Sequence, residues 1–252
     1  PFVVSHGADY IRIAEIHGHG HQRRKWRWLR RLAFRFAAAV IVPNPTDAER
    51  LRAGFPRARI EWIPNWIDAR LFAPSPRPNT TDRWPKRVLY VGRLVAEKNL
   101  ERAALACHQV GARLVCVGDG PLAARLRTLW ADVEGAVPWE SLPTRYASAD
   151  AFILPSLTEG HPKALLEAMA CGVPCVVSTA VHGVVRDGET ARMFSPTDEG
   201  AMRAALCAVL EHPEEAARLA TAARAAVEPY DIRLVMPREV ALAEEVADGQ
   251  GL

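Results

Sequence analysis

Two glutamates, Glu159 and Glu167, flank a stretch that has the sequence of a helix start. The apolar run 151–155 precedes them and predicts a buried strand. Pro162 is predicted to be the first helical residue, because its missing N–H would have no partner there in any helix. The run Ala-Leu-Leu-Glu-Ala-Met-Ala then favours helix as far as Gly172. Unpaired N–H groups at a helix start bind phosphate. Acids on both sides would suit a ligand with hydroxyls at each end and a diphosphate between them, such as a sugar nucleotide.

The spacing of the two glutamates indicates that both could face such a ligand. Eight residues of helix span about 12 Å, and a separation of seven or eight residues keeps side chains on one face. Helical side chains lean toward the N-terminus, so Glu167, placed about two turns along, would reach back toward the loop. The alternative is a solvated helix that carries two ordinary surface glutamates.

The residues from Glu159 to Pro174 read Glu-Gly-His-Pro-Lys-Ala-Leu-Leu-Glu-Ala-Met-Ala-Cys-Gly-Val-Pro. This pattern resembles the signature of the family 4 retaining glycosyltransferases of the GT-B fold. The resemblance implies an α/β chain with a Rossmann-like C-terminal donor-binding domain and an incomplete Rossmann-like N-terminal domain. It also implies transfer of a hexose-type sugar from a nucleoside diphosphate to a sugar or lipid-linked acceptor, in polysaccharide, lipopolysaccharide or glycolipid synthesis. Neither a metal nor another cofactor is expected.

A second stretch, from Gly92 to Leu100, is predicted to supply cations to the same ligand. It follows a predicted strand at 87–91, and its glycine permits a tight turn. Arg93 and Lys98 bracket a loop that leads into a helix, which is a suitable place to grip a diphosphate. Two solvated loop cations are the alternative. The resembled family uses the same Gly-Arg-x-x-x-Glu-Lys run to bind the donor phosphates. The resemblance also implies that the diphosphate contacts the helix start, at Gly160, His161, Pro162, Lys163 and Ala164.

The resemblance assigns roles to the remaining site residues. Glu159 would bind hydroxyls of the sugar and favour an oxocarbenium-like transition state, and Glu167 would hold the ribose. His6 follows an apolar run that predicts a strand, and it would contact the transferred sugar from across the cleft. Val137 would line the nucleotide base through its backbone.

Two other motifs are interpreted as structural. The run 118–123, Gly-Asp-Gly-Pro-Leu-Ala, fits a loose nicotinamide dinucleotide fingerprint between a strand and a helix. No acidic residue ends a following strand at the required distance, so we predict a turn instead. His17, His19 and His21 could hold a divalent metal. Without nearby cysteines or paired carboxylates, they are predicted to lie in a surface loop.

Residues 22–38 are predicted to form a helix that carries seven Lys/Arg and no acidic residue. Trp26, Leu29, Ala33 and Phe36 would form an apolar stripe. The helix could lie on an anionic membrane surface, with tryptophan at the interface. It could instead pack its stripe on a sheet and leave its arginines solvated. The one-signed charge favours the membrane. Nucleic acid is not an expected partner, because no RNA-binding motif accompanies the helix.

We divide the chain into three parts. Residues 1–85 would be a partial N-terminal, acceptor-side domain with its linker, residues 86–228 the nucleotide-sugar-binding domain, and residues 229–252 a terminal helix that returns to the first domain. The first part carries 15 Lys/Arg against 7 Asp/Glu, and the remainder carries 17 against 22. The two halves are therefore expected to face different partners. The chain begins with Pro1 rather than Met, and we expect a truncated protein whose donor-binding domain is intact.

Two local features depart from the family pattern, and a third concerns a helix cap. The loop at 179–183 lacks the glutamate of the family's Gly-Gly-x-x-Glu and is shorter. Trp66 stands where the family's Ile-Pro-Asn-x-x-Asp segment most often has glycine. Thr46 is predicted to cap a short helix. Because of the altered loop, a non-catalytic module that binds a nucleotide sugar or a membrane is the alternative function.

Cysteine usage and hydropathy bear on the location of the protein. None of the five cysteines belongs to a C-x-x-C pair, which suits a reducing compartment. No apolar run approaches the roughly 20 residues of a membrane span. We therefore expect a cytoplasmic protein, which would be peripheral at the inner face of the membrane if residues 22–38 bind lipid.

Overall fold

The computed structural model describes residues 3–5, 23–75 and 85–249, and within them the chain forms two parallel sheets with helices on their faces. This confirms the predicted α/β class. No helix in the described ranges is long and apolar enough to cross a membrane.

The first sheet has three parallel strands, β1 (Val3–Ser5), β2 (Ala39–Val42) and β3 (Ile60–Trp62), in that spatial order. Helix α1 (Arg23–Phe36) precedes β2, and helix α2 (Pro45–Gly54) joins β2 to β3. Both helices lie on one face of the sheet, where they share a buried cluster whose members are Phe34, Val40, Val42, Ala48, Leu51 and Ile60.

The packing of α1 corrects the predicted apolar stripe. Phe34, which lies outside that stripe, is buried against the sheet at 3% exposure. The side chain of Trp26, a predicted member, lies outside the described part of the helix. Phe36, a predicted member, is 62% exposed. Leu29 and Ala33 are half-buried. The buried face of α1 is therefore rotated relative to the prediction. It is fixed by the contact of Phe34 with Phe55, whose rings meet edge-on at 4.9 Å between centroids.

The second sheet has six parallel strands: β4 (Lys86–Val91), β5 (Ala112–Val117), β6 (Asp132–Gly135), β7 (Ala151–Leu154), β8 (Cys175–Ser178) and β9 (Arg192–Phe194). Every residue of β7 and β8 is buried, as expected for parallel strands covered on both faces. The covering helices are α3 (Leu100–Gln109), α4 (Ala123–Thr128), α5 (Leu142–Ala147), α6 (Lys163–Ala170), α7 (Glu199–Leu210) and α8 (Pro213–Val227).

The strand order fixes where a ligand can bind. The order is β6-β5-β4-β7-β8-β9, so the chain runs outward from β4 in one direction and from β7 in the other. Loops that follow β4 and β7 therefore diverge and leave a crevice between them at the carboxyl ends of the strands. In doubly wound sheets this switch point is the ligand-binding position.

The last helix, α9 (Ile232–Ala247), packs on the first sheet rather than the second. Its Val235, Leu242 and Val246 share a buried cluster with Ala39 and Ile63. Arg59 beside β3 also makes two hydrogen bonds of 2.7 Å to Glu245. These contacts agree with a terminal helix that returns to the N-terminal part, while the domain boundaries at 85 and 228 stay predictions.

Candidate active site at the switch point of the second sheet

Lys98 and Glu159 meet at the crevice between β4 and β7. The Lys98 Nζ lies 2.6 Å from Oε1 of Glu159, and the two side chains are 17% and 10% exposed. Lys98 ends a short 3-10 helix, Ala96–Lys98, in the loop after β4, and Glu159 lies in the loop after β7. The two stretches singled out in the sequence therefore form one site.

Further hydrogen bonds join the same two loops. The backbone N–H of Leu157 donates to the carbonyl of Glu97 at 2.9 Å, and the Asn99 carboxamide donates to the carbonyl of Pro155 at 3.2 Å. Asn99 has a left-handed backbone, with φ of 56°, at the junction between the 3-10 helix and α3. Ser156 donates its hydroxyl to Oε1 of Glu159 at 2.6 Å. The lysine and the carboxylate are thus held by their loops as well as by each other.

Arg93 lies in the same loop as Lys98 but points more to solvent. Its guanidinium is 3.5 Å from Glu97, and its side chain is 70% exposed. Its carbonyl accepts a hydrogen bond of 2.9 Å from the hydroxyl of Tyr90. Burial, followed by the negative charge of Glu159, raises the pKa of Tyr90 well above its usual range. The tyrosine therefore holds the backbone of Arg93 through this hydrogen bond, and its hydroxyl is close enough to Glu159 to sense the charge of the carboxylate.

Two glycines let the loop after β5 press against the loop that carries Arg93. A Cβ on Gly118 would stand 2.0 Å from the carbonyl oxygen of Gly92, and one on Gly120 would stand 2.5 Å from that of Leu94. Only glycine tolerates such contacts with backbone atoms. The Gly-Asp-Gly run thus has a packing role, in agreement with the predicted structural turn.

The start of α6 differs from the prediction by one residue. Pro162 has ψ of 114° and is not helical, and the helix begins at Lys163. Glu167 is therefore the fifth helical residue, about one turn along rather than two, so the helical same-face argument for Glu159 and Glu167 is wrong. The first turn has neither a side-chain cap nor an acidic residue, and Lys163 occupies its first position. A lysine at this end adds a positive charge to the positive end of the helix dipole. The lysine and the uncapped N–H groups together favour the binding of an anion from outside the helix.

Glu167 is buried beneath this helix start. The hydroxyl of Tyr146 donates to its Oε2 at 2.8 Å, and the indole N–H of Trp139 donates to its Oε1 at 3.3 Å. Burial raises the pKa of Glu167, and the hydrogen bonds from Tyr146 and Trp139 oppose that shift. Trp139 follows the segment that contains Val137, so the predicted base-lining backbone and the predicted ribose acid lie on connected elements.

The ring of His161 is buried against an aromatic neighbour. The ring meets Tyr230 edge-on at 5.0 Å between centroids, and the residue is 5% exposed. Its Nδ1 is buried and has no hydrogen-bond partner in the described part of the chain. Burial lowers the pKa of His161 to about 4, so the imidazole is neutral near pH 7.

This burial predicts a specific loss of stability in acid. The unfolded chain binds a proton at His161 below about pH 6.5, whereas the folded chain resists protonation until about pH 4. The free energy of unfolding should fall across that window by up to about 3 kcal/mol from this residue. Urea unfolding at pH 7 and pH 4.5 should show a smaller fall for His161→Phe than for the unchanged protein. Equal falls in the free energy of unfolding for the two proteins would mean that His161 does not take up a proton when the chain unfolds.

Two asparagines, in the loops that follow β2 and β3, hold the loop that carries Glu159. The carboxamide N–H₂ of Asn44 donates to the carbonyl of Gly160 at 3.2 Å and to that of His182 at 3.1 Å. Its oxygen caps α2 by accepting from the N–H groups of Thr46 and Asp47, so Asn44 is the cap and not Thr46, as was predicted. Asn65 donates to the carbonyl of His161.

A third contact from the first part of the chain reaches the helix start directly. The ammonium of Lys163 lies 4.3 Å from the ring centroid of Trp66, which is a cation–π distance. The tryptophan that replaces the family's usual glycine therefore supports the cation at the first position of α6. Nothing in the sequence pattern around Trp66 indicated this contact, since the two residues are far apart along the chain.

Some predicted residues lie outside the described ranges. His6 is among them, as are His17, His19 and His21. Within the described ranges, no group of three or more His, Cys, Asp or Glu side chains is arranged to hold a metal ion. The roles of all the site residues stay predictions. Lys98 and Glu159 are in direct contact, Arg93 lies in the same loop as Lys98, and α6 begins four residues after Glu159.

Two family models match this chain. The model described as glycosyl transferases group 1 matches residues 85–212, and the model described as glycosyltransferase family 4 matches residues 3–71. Together they cover both sheets.

A curated relative extends the match across most of the sequence. The chain is 30% identical over 247 residues to the GDP-mannose-dependent alpha-(1-6)-phosphatidylinositol monomannoside mannosyltransferase of Mycolicibacterium smegmatis, a match that covers 84% of this chain and 64% of the relative. Other curated relatives are covered over 50% and 52% of their length. The chain thus spans between half and two thirds of the length of these three relatives.

Solved structures share the arrangement of the two sheets. Sucrose-phosphate synthase from Thermosynechococcus elongatus superimposes with a TM-score of 0.85 at 23% identity, covering 98% of this chain and 68% of the other. HepE from Anabaena, in complex with UDP and glucose, gives a TM-score of 0.78 at 18% identity, covering 96% and 71%. These two are glycosyltransferases of the predicted GT-B fold. The chain therefore belongs to the group 1 glycosyl transferases and has the GT-B fold, with two Rossmann-like parts.

Proposed function

We propose that the protein containing this chain transfers a sugar from a nucleoside diphosphate to the hydroxyl of an acceptor, with retention of anomeric configuration. The observation that carries the proposal is the contact between Lys98 and Glu159 at the switch point, beside the uncapped start of α6. In this proposal a cation, a carboxylate and a row of N–H donors surround one crevice. Such a set can bind a phosphate and a sugar hydroxyl side by side.

The names of similar proteins support a nucleotide sugar as the donor. The M. smegmatis relative is GDP-mannose-dependent by name, and the Anabaena structure contains UDP and glucose. Several relatives are named for polysaccharide or glycolipid synthesis, among them a putative colanic acid glycosyltransferase of Escherichia coli. A polysaccharide or lipid-linked acceptor is accordingly part of the proposal.

The diphosphate would be bound at the start of α6. The N–H groups of Lys163 and Ala164 belong to the first turn, where a helix has no partner for them. Lys98 would add its charge from the loop after β4, and Arg93, which is exposed, would reach the outer phosphate oxygens. Fixed positive groups of this kind stabilise the charge that develops as the diphosphate leaves.

The two glutamates would bind opposite ends of the donor. Oε1 of Glu159 is occupied by Lys98 and Ser156, and its Oε2 makes no hydrogen bond within the described ranges, so it can accept from a sugar hydroxyl. Its negative charge would also stabilise an oxocarbenium-like transition state. Glu167 would hold the ribose, because an ionised carboxylate can accept more hydrogen bonds than the two from Tyr146 and Trp139.

Retention follows if the acceptor approaches from the face that the leaving group departs. The bond between the anomeric carbon and the phosphate oxygen breaks, with its electron pair going to the diphosphate. The acceptor oxygen forms the new bond on the same face, where the departing phosphate oxygen can take its proton. This route differs from the paired-carboxylate displacement of retaining hydrolases.

Nucleotide binding and product stereochemistry test the proposal together. Calorimetry of the full-length protein with UDP, GDP and ADP should identify one nucleoside diphosphate that binds more tightly than its monophosphate. Proton NMR of the product made from the matching α-linked donor should show an α linkage. Tight binding with no transfer or donor hydrolysis would favour a non-catalytic module, and a β-linked product would exclude retention.

Glu167 provides a separate prediction about the ribose. The 2′,3′-dideoxy form of the bound nucleoside diphosphate should bind the unchanged protein about tenfold or more weakly, because hydrogen bonds to a charged group contribute about 1.5–3 kcal/mol each. In Glu167→Ala the two nucleotides should bind about equally, as measured by calorimetry. A variant that still discriminates between them would place the ribose elsewhere. Thr144→Ala, which changes an exposed hydroxyl near Tyr146, is a matched control.

A further inference from the structure

A basic and apolar surface on α1 lies apart from the candidate active site. Trp28, Leu32 and Phe36 follow one another at a spacing of four, and they are 61%, 40% and 62% exposed. Residues four apart share one face of a helix. They form an outer ridge on the side of α1 that faces away from the buried Phe34. Three large apolar side chains in line on a solvent-facing surface require an explanation, whereas a single one would not.

Arginines lie between the outer ridge and the core. Arg31 and Arg35 line an open cavity of about 570 Å³, together with Arg57 from the loop after α2 and the aromatic side chain of Phe55. All three arginines are exposed. None of them forms an ion pair with an acidic residue in the described part of the chain. As far as the described residues go, the cavity is therefore a cationic site without an internal counter-ion.

A fourth arginine supports the same assignment. The guanidinium of Arg30 stands 5.5 Å from the ring centroid of Phe55, which is one of the residues that line the cavity. Its Nε is buried, and it has no hydrogen-bond partner among the residues described. A buried guanidinium N–H without an acceptor carries a desolvation cost that an anionic ligand would remove.

The order of these groups selects the partner. From the sheet outward, α1 presents a buried phenylalanine, then arginines beside a cavity, then an apolar ridge with tryptophan and phenylalanine. At a membrane, arginines of this kind reach phosphate groups while apolar side chains enter the acyl boundary. The charge is of one sign, since residues 22–38 contain seven Lys/Arg and no acidic residue. Anionic lipids attract such segments.

We propose that α1, from Trp28 to Phe36, and Arg57 bind the surface of an anionic phospholipid membrane. Lipid phosphates would occupy the cavity between Arg31, Arg35 and Arg57, and the outer ridge would lie at the acyl boundary. The inference does not depend on the proposed transfer reaction, because it rests on residues outside the crevice. It assigns the membrane binding expected of residues 22–38 to particular side chains. The outer ridge takes the place of the predicted stripe as the membrane-facing surface.

Vesicle cosedimentation of the full-length protein tests the proposal. The unchanged protein should bind phosphatidylcholine vesicles that contain phosphatidylglycerol, more weakly as salt is raised, and pure phosphatidylcholine vesicles much less. The triple variant Arg31→Ala, Arg35→Ala, Arg57→Ala should lose about fivefold in affinity per arginine, which corresponds to about 1 kcal/mol for each basic side chain. The double variant Trp28→Ser, Phe36→Ser should lose about tenfold or more, because apolar area at the interface contributes to binding.

Two variants elsewhere on the surface serve as matched controls. Arg186→Ala removes an exposed arginine, and Leu234→Ser removes an apolar side chain that is 60% exposed. Both should bind vesicles as the unchanged protein does. Equal binding to neutral and anionic vesicles, or unchanged binding by either multiple variant, would overturn the proposal. It would also be overturned if the protein bound no vesicles and formed a dimer that Trp28→Ser, Phe36→Ser dissociates.

Discussion

Lys98→Ala and Glu159→Ala should each lower the rate of sugar transfer by about a hundredfold or more, which corresponds to roughly 3 kcal/mol in the activation free energy. The lysine variant removes a cation from the departing diphosphate. The glutamate variant removes the carboxylate proposed to face the sugar. Steady-state kcat and kcat/KM with the nucleotide sugar identified by calorimetry would measure both effects, with Arg102→Ala on α3 as a control for the loss of a cation outside the crevice.

The same two residues form a largely buried ion pair, so stability has to be separated from chemistry. Removal of one member leaves the other charge buried without its partner, which costs about 3–5 kcal/mol in comparable pairs. The double variant Lys98→Met, Glu159→Gln leaves no buried charge and keeps an acceptor for Ser156. We expect it to regain much of the stability that either single variant loses, and to remain about a hundredfold slow. Transfer that recovers in parallel with stability would make the pair structural only.

Asn44→Asp should weaken donor binding and destabilise the fold together. The new carboxylate can still cap α2, but its second oxygen would face the carbonyl oxygens of Gly160 and His182 in place of two N–H donors. Because Asn44 is 3% exposed, water cannot relieve that contact. The free energy of unfolding should fall by about 2–4 kcal/mol. The KM for the donor should rise about tenfold, which corresponds to roughly 1.4 kcal/mol of binding energy lost when Gly160 shifts.

Asn44→Ser separates the two functions of this residue. Serine is a good helix cap but is too short to reach the carbonyl of Gly160. The KM for the donor should rise in this variant, with a smaller loss of stability in urea unfolding than Asn44→Asp shows. An unchanged KM in both variants would mean that the bridge from the first sheet does not position the donor loop.

The sequence predicted the elements of the site well because local patterns determine them. The all-buried strand β7, the helix-forming run after Lys163 and the turn at Gly92 each depend on neighbouring residues alone. The resemblance placed Lys98 and Glu159 around one ligand but did not predict their direct contact, which the strand order explains. Both residues follow the central strands β4 and β7, so their loops must adjoin.

The errors arise where tertiary contacts decide the outcome. Pro162 is a suitable first residue of a helix, yet hydrogen bonds from Asn44 and Asn65 hold the preceding carbonyls, and the proline stays extended. Asn44 was missed because its partner Gly160 lies 116 residues away along the chain. On α1, Phe34 and Phe36 are both apolar, and periodicity does not say which of them meets Phe55. Packing with the sheet makes that choice.

A structure of the full-length protein with its tightest-binding nucleoside diphosphate tests the central claim most directly. The account predicts that β-phosphate oxygens lie within about 3 Å of the backbone nitrogens of Lys163 and Ala164 and of the Lys98 Nζ. The ribose hydroxyls should lie at Glu167. A diphosphate bound away from the start of α6, or one that makes no contact with the loop carrying Arg93 and Lys98, would contradict it.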